Sequence, residues 1–336
     1  SDSHTSGGEL VFAIYGHAGG GTSHDANMCI ARDGVVLAAL ELERLFDVRY
    51  FYFESIRENK EEMHADENEG AEHFEGQLHR GLRALQQMAG LGNVSSLVFD
   101  VALHGASASE DEIQVLKRVV LARRWSSYNH HHAHAAIGFF DSPFRTALIV
   151  SLDGGGNDGR LNTFVADRAV GIEQVDSSSS PAGVQYQQLG RALSEIASGI
   201  DKGGCCYYVA GRLWEYGMDG RICTCNYING KKMGYAALGE VREDWMFLVE
   251  AMHYDDHLGG LGASALLGGE GGTVQEQRDF AATSQEAFKR IHVRHIERWL
   301  RLYPRVEGIV LTGGCALNVM ANTEAKRRFP GYGIYI

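Results

Sequence analysis

One order of elements occurs twice in this chain: an apolar strand, a glycine-rich polar loop, then two short strands turned back on each other. The first copy runs from Glu9–Tyr15 through a loop over 16–25 to Ala26–Ala31 and Val35–Leu40, the last two joined by Asp33-Gly34. Asp-Gly is a strong hairpin signal because both residues tolerate φ > 0. The second copy runs from Ala147–Leu152 through Asp153–Gly159 to Leu161–Ala166 and Val170–Val175. The repetition predicts two related α/β halves, 1–145 and 146–336, within the 336 residues.

The intervening segments complete each half. Glu58–Glu75 is acidic and poor in apolar residues, which predicts an exposed insertion. Phe74, Leu78, Leu82, Leu85 and Met88 recur at three- and four-residue steps and predict one face of a helix. Leu97–Leu103 reads as a buried strand and Ile113–Leu121 as a helix. In the second half Asp176–Pro181 is a loop, and a helical insertion follows over about 181–305. Thr283 with Glu286 has the pattern of a capping box, opening a helix through Phe288, Ile291, Ile296, Trp299 and Tyr303 that Pro304 stops. Glu307–Leu311 is a last central strand, entering Gly313-Gly314 and a helix to about Arg328. Tyr332–Ile336 begins another strand, and a domain rarely closes on a fresh strand, so further sequence is expected beyond it. This order of elements is that of the actin/sugar-kinase/heat-shock-70 type of ATPase, a duplicated α/β fold holding nucleotide between its halves, here with helical insertions.

Charge and cysteine usage narrow the function. Lys and Arg total 31 against 43 Asp and Glu, a formal charge of −12. Such a surface repels a phosphate backbone and disfavours nucleic acid as a partner. It suits a neutral or cationic acceptor. Cysteines 29, 205, 206, 223, 225 and 315 do not have C-x-x-C zinc spacing, and a chain of this size has no need of disulfide staples. Reduced thiols and a cytoplasmic location are therefore expected. No apolar run approaches membrane-spanning length.

Five segments carry chemistry. In Asn129-His130-His131-His132-Ala133-His134 a helix would stand His130 and His134 one turn apart, near enough to grip one divalent metal, zinc or iron(II). His131 and His134 form an alternative pair at three-residue spacing, and either pair needs at least one more ligand. Asp153 at a strand end, followed by Gly154, Gly155 and Gly156, suits Mg²⁺ and close approach of backbone N–H to phosphate. Gly313-Gly314, ending a strand before a helix that contains Asn318, offers unpaired N–H groups to nucleotide. Lys231 and Lys232, between Gly230 and Met233-Gly234, could meet a phosphate. Ser23-His24-Asp25 lies in the first polar loop, with Glu41, Glu43 and Arg44 after the hairpin. A Walker A motif, a G-x-S-x-G elbow and H-E-x-x-H are all absent.

Taken together these segments resemble the nodulation-protein/antibiotic O-carbamoyltransferase family. The resemblance is carried by Ser23-His24-Asp25 with Asp33-Gly34, by the histidine run with Ser142-Pro143-Phe144, by Asp153-Gly154-Gly155-Gly156, by Gly230-Lys231-Lys232-Met233-Gly234, and by Gly313-Gly314-Cys315-Ala316-Leu317-Asn318. It spans nearly the whole chain. It implies a domain related to the enzymes that make threonylcarbamoyl-adenosine in tRNA. His130 and His134 would hold the metal, usually taken as iron(II). Asp153, Gly154, Gly156, Lys231, Gly313, Gly314 and Asn318 would meet nucleotide or phosphate, and His24 or Asp25 would orient the carbamoyl group or take the acceptor's proton. The reaction implied is transfer of a carbamoyl group from carbamoyl-adenylate, made from carbamoyl phosphate and ATP, to a hydroxyl of a small acceptor. A homodimer is a candidate assembly. The family's third metal ligand, an Asp, and its adenylate-forming C-terminal domain are expected past residue 336. Its Gly-Leu-Ala-Pro-Tyr-Gly segment reads here Gly234-Tyr235-Ala236-Ala237-Leu238-Gly239. A small-molecule kinase, a tRNA-modifying enzyme or a non-catalytic nucleotide-binding fragment would be the rivals on the same fold.

Overall fold

The computed structural model describes residues 8–16, 26–47, 51, 53, 67–92, 97–197, 226–255, 257–268 and 271–336. The chain divides into two compact units, Ser1–Asn129 and His130–Ile336.

In the first unit β1 (Leu10–Tyr15), β2 (Asn27–Arg32) and β3 (Val35–Glu41) form an antiparallel meander. The turn between β2 and β3 uses left-handed backbone at Asp33 (φ 50°) and Gly34 (φ 76°), which is why this dipeptide closes a two-residue hairpin. A short helix α1 (Leu42–Phe46) follows. The long helix α2 (Glu67–Met88) buries Phe74, Leu78, Leu82 and Leu85 against Phe12, Met28 and Ile30. Met88, expected on that stripe, is 57% exposed in the last turn. Of the expected insertion over 58–75, residues 58–66 lie outside the described residues and 67–75 are the first part of this helix. Next come β4 (Phe99–Gly105), α3 (Glu110–Val119) and β5 (Ala122–Tyr128), with β4 parallel to both β1 and β5. Helix α3 starts three residues before its apolar stripe, at a capping box formed by Ser109 and Glu112. The sheet order is β3-β2-β1-β4-β5.

The second unit repeats it. After α4 (His130–Asp141), β6 (Thr146–Gly156), β7 (Gly159–Asp167) and β8 (Gly171–Ser178) again form an antiparallel meander. Among the described residues seven α-helices follow: α5 (Ala182–Gly190), α6 (Ser194–Ala197), α7 (Asn226–Tyr235), α8 (Glu243–Tyr254), α9 (Leu258–Leu267), α10 (Val274–Leu302) and, after β9 (Gly308–Thr312), α11 (Val319–Arg328). The last strand, β10 (Gly333–Tyr335), is parallel to β9, and β9 is parallel to β6. The order is β10-β9-β6-β7-β8, the first sheet read from its other edge. The same strand order and sense in both units make this a duplicated α/β fold of the actin/sugar-kinase/heat-shock-70 class.

Strand β6 is central and buried on both faces. Ala147 and Ile149 pack with Ala135 and Phe139 of α4, whereas Leu148, Val150 and Leu152 pack with Phe288 and Ile296 of α10 and Ala321 and Ala325 of α11. The two-residue alternation of a strand thus holds a helix on each side. Helix α10 begins ten residues earlier than the sequence pattern suggests. Its capping box is Thr273 with Glu276, preceded by left-handed Gly271 and Gly272. Thr283, expected to be the cap, lies buried within the helix, where its hydroxyl donates to Asp279 O and accepts Arg242 N–H.

Helices α8 and α10 carry two buried histidines, His253 and His292, and a half-buried one, His295. Burial lowers His253 to about 3, with Lys232 adding to it, and lowers His292 and His295 to about 4 each. These imidazoles are neutral in the folded chain and take up protons on unfolding below their ordinary value. Their stabilising effect is complete above about pH 6.5 and is lost as pH falls toward 4. For His292 the loss at pH 5 is about 2 kcal/mol. Chemical unfolding at pH 7 and pH 5 checks this: the wild-type midpoint drops, and His292→Leu shows a smaller drop between the same two pH values. An equal drop in the variant refutes the assignment.

Candidate functional site

Three segments of the second unit converge at the C-terminal ends of β6 and β9. Helix α4 supplies His130 and His134, one turn apart, with ring centroids 4.6 Å apart. Strand β6 delivers Asp153, whose Oδ2 lies 3.4 Å from His130 Nε2 and 3.2 Å from His134 Nε2. The turn after β9 brings Gly314, whose N–H donates to the same Oδ2 at 2.8 Å, and Gly154 N–H donates to Oδ1 at 2.6 Å.

Helix α4 is registered by the β6–β7 turn. Asn157 Oδ1 accepts His130 N–H at 2.9 Å and Asp158 Oδ1 accepts His131 N–H at 3.2 Å, filling two of the donors every helix start leaves unpaired. Gly156 sits against the rings: a Cβ there would stand 2.8 Å from His130 Cδ2 and 3.0 Å from His131 Cδ2. At the other side Thr312 Oγ1 donates to His134 O at 3.2 Å.

The histidine run divides by role. His131 is buried, with Nε2 3.1 Å from Gly159 O and Nδ1 2.7 Å from Ser151 Oγ. A carbonyl only accepts, so Nε2 carries the hydrogen and Nδ1 accepts from the serine hydroxyl. Both nitrogens are engaged, which removes His131 from the pair with His134 that spacing allowed. Burial lowers its pKa and keeps it neutral. His130, His134 and Asp153 keep 18%, 31% and 22% side-chain exposure, so a small ligand can reach them.

Burial would raise the Asp153 carboxyl, but hydrogen bonds from His130, His134 and Gly314 N–H outweigh it and hold it well below the usual carboxylate range. It is an anion with two imidazoles turned to it. One donor atom from each of the three residues lies within 4.8 Å of the others, a spacing that can hold a metal ion. Two imidazoles and one carboxylate suit zinc or iron(II) and leave coordination positions open. Asp153, read from the sequence as a phosphate or Mg²⁺ residue, thus stands where a third metal donor could, beside His130 and His134.

The remaining candidates fall elsewhere. His24 and Asp25 lie outside the described residues, as do Cys205, Cys206, Cys223 and Cys225. Lys231 is exposed on α7, and it is Lys232 that turns inward. Lys232 is fully buried, with Nζ donating to Tyr186 O at 2.8 Å and Ser284 Oγ at 2.7 Å, above the Tyr186 ring. Asn318 is buried, caps α11 at Ala321 N–H, and pairs with Gln285. Asn157, Asp158 and Ser151, which orient the histidine helix, were all present in the Ser151–Gly159 segment. Their signal was that of a turn, and only the structure shows what the turn caps.

No family model and no curated protein matches the chain. Among solved structures, it is similar to the activator of the 2-hydroxyisocaproyl-CoA dehydratase from Clostridium difficile with bound ADPNP, at 10% identity, covering 97% of this chain and 87% of that one, TM-score 0.46. It is also similar to HypF from T. kodakarensis, at 13% identity, covering 98% of this chain and 45% of that one, TM-score 0.49. A third is the ROK hexokinase from Thermus thermophilus, at 12% identity, covering 97% and 91%, TM-score 0.39. These likenesses are loose in sequence and in superposition, and the fold class stands on the repeated strand order instead. Among the described residues no helix is long and apolar enough to cross a membrane.

Two predictions follow from this geometry. Gly313 has φ 85°, and a Cβ there would stand 2.5 Å from Leu152 O, so Gly313→Ala destabilises by about 1–3 kcal/mol and displaces the Gly314 N–H. Thermal unfolding that matches wild type sinks this. Burial lowers the Lys232 amine well below its ordinary value, so the unfolded chain binds a proton there more tightly than the folded chain does. Lys232→Met accordingly raises the unfolding midpoint at pH 7, and the advantage narrows toward pH 10 as the unfolded lysine loses its proton. An advantage that is constant with pH contradicts it.

Proposed function

We propose that this chain is the metal- and nucleotide-binding part of a carbamoyltransferase, which moves a carbamoyl group from carbamoyl-adenylate to a hydroxyl of a small molecule. The observation that carries the reading is the convergence of His130, His134 and Asp153 on one point beside the Gly313–Gly314 turn. It joins a transition-metal donor set to a glycine turn at the ends of two parallel strands, where α/β sheets take their ligands. The motif set that resembles the carbamoyltransferase family supplies the choice of reaction.

In this reading His130, His134 and Asp153 hold iron(II) or zinc, and the ion when bound supplies Lewis acidity toward a phosphate or carbamoyl oxygen. The chain's own part is orientation and charge. Gly154 and Gly314 fix both oxygens of Asp153, so the carboxylate faces the imidazoles without rotating. Asn157 and Asp158 fix the helix that carries the imidazoles. Backbone N–H groups at the end of β6 and in the turn after β9, other than those of Gly154 and Gly314 that Asp153 holds, meet phosphate oxygens. His24 or Asp25 takes the acceptor proton. The acceptor oxygen then bonds to the carbamoyl carbon, the bond from that carbon to the adenylate phosphate oxygen breaks, and AMP leaves with the electron pair. The formal charge of −12 supports a small neutral or cationic acceptor over tRNA.

Calorimetry and metal analysis test the proposal on the full chain. Wild type binds one equivalent of Zn²⁺, or of Fe²⁺ under anaerobic conditions, and binds ATP. His130→Ala, His134→Ala and Asp153→Asn each weaken metal binding by about a hundredfold or more. Full metal affinity in both histidine variants overturns the metal assignment. ADP production dependent on a sugar, with no carbamoylated product from carbamoyl-adenylate, overturns the choice of reaction in favour of a kinase.

A further inference from the structure

Behind the glycine turn lies a closed hydrogen-bond circuit. Gln285 of α10 and Asn318 at the head of α11 pair their side-chain amides head to tail. Gln285 Nε2 donates to Asn318 Oδ1 at 3.0 Å, and Asn318 Nδ2 donates to Gln285 Oε1 at 3.2 Å. Each oxygen accepts a second bond. The Tyr186 hydroxyl donates to Gln285 Oε1 at 2.6 Å, and Ala321 N–H donates to Asn318 Oδ1 at 3.0 Å. Because a backbone N–H can only donate, Ala321 fixes which end of the Asn318 amide is oxygen. That choice fixes Gln285, and Gln285 in turn requires a donor at Tyr186.

The circuit is buried, with Gln285 4% and Asn318 8% exposed, so water does not replace a missing member. It is fastened to the turn at several points. Asn318 N–H donates to Cys315 O at 3.0 Å, and Asn322 Nδ2 donates to Ala316 O at 2.6 Å. The opposite end of the same turn presents Gly314 N–H to Asp153 Oδ2. On the far side, Tyr186 is held through its carbonyl by Lys232 and through its ring by Phe288, whose centroid is 5.0 Å away.

We propose that Tyr186 and Gln285 are positioning residues for the metal-donor carboxylate: through the Gln285–Asn318 amide pair they hold the turn over 313–318 so that Gly314 N–H stays on Asp153. This rests on reading the cluster as a metal site. Groups that orient a metal ligand change affinity by about 10- to 100-fold when lost.

Tyr186→Phe removes the hydroxyl and keeps the ring, so it is the informative variant. Phe288→Leu, which loosens packing on the same ring without touching a hydrogen bond, is the control for stability. Two readouts are taken on the full chain: Zn²⁺ affinity by calorimetry and amide hydrogen exchange of the peptide containing Gly314 to Leu317. Tyr186→Phe is expected to weaken Zn²⁺ about tenfold and to speed exchange in that peptide, while Phe288→Leu, though less stable, changes neither. Gln285→Glu, which keeps the shape and the acceptor but loses the donor to Asn318, is expected to fall on the side of Tyr186→Phe. If Tyr186→Phe matches Phe288→Leu in both readouts, the positioning role is overturned. If wild type binds no Zn²⁺, the metal reading falls by itself. Hydrogen exchange then still decides whether the circuit holds the turn, and unchanged exchange overturns that as well.

Discussion

The bond from Gly314 N–H to the Asp153 carboxylate ties the end of β6 to the turn after β9. These strands are parallel neighbours in the middle of the second sheet, so their chain ends arrive side by side. A carboxylate left alone at that spot would lean toward protonation in its partly buried setting. Two imidazoles and two backbone amides instead keep it charged and immobile. A ligand atom that has already lost its rotational freedom gives up little more when an ion or a phosphate arrives.

The rest of the second unit can be understood as support for this one spot. Helix α4 lies against one face of β6, and helices α10 and α11 against the other. The helical part then extends outward as its own apolar cluster around Phe280, Val249 and Met252. It places three ionisable groups, Lys232, His253 and His292, fully or nearly fully out of water, where burial disfavours their charged forms. Each carries a penalty at neutral or acid pH that an apolar residue would not, so packing alone does not account for their presence.

The sequence made the strands legible where burial was two-sided. Ala147–Val150 and Gly308–Leu311 are continuous apolar runs because β6 and β9 have a helix layer on each face. Strand β5, Ala-Arg-Arg-Trp-Ser-Ser-Tyr, offered no such run. It is an edge strand with an open face, and only its pairing with β4 reveals it. The Thr-x-x-Glu pattern occurs at both 273 and 283, and the positive-φ glycines at 271 and 272 mark which one begins the helix. For the candidate site, the one-turn spacing of His130 and His134 could be read directly from a helical repeat. That Asp153 would meet them could not, because their juxtaposition is set by the parallel pairing of β6 with β9 and by caps from Asn157 and Asp158. Nor could the run of letters tell Lys231 from Lys232, since neighbours on a helix point about 100° apart.

Four histidines in five positions look like redundancy, as though any could stand in for a lost neighbour. The locked tautomer of His131 says otherwise. Its two nitrogens belong to Ser151 and to the carbonyl of Gly159, so freeing one for an ion would break a buried bond and uncap the strand pair that sets the helix. Abundance of one residue type therefore provides no spare part here. His131 braces the turn while His130 and His134 stay turned toward Asp153, and the two roles cannot be exchanged without rebuilding the turn beneath.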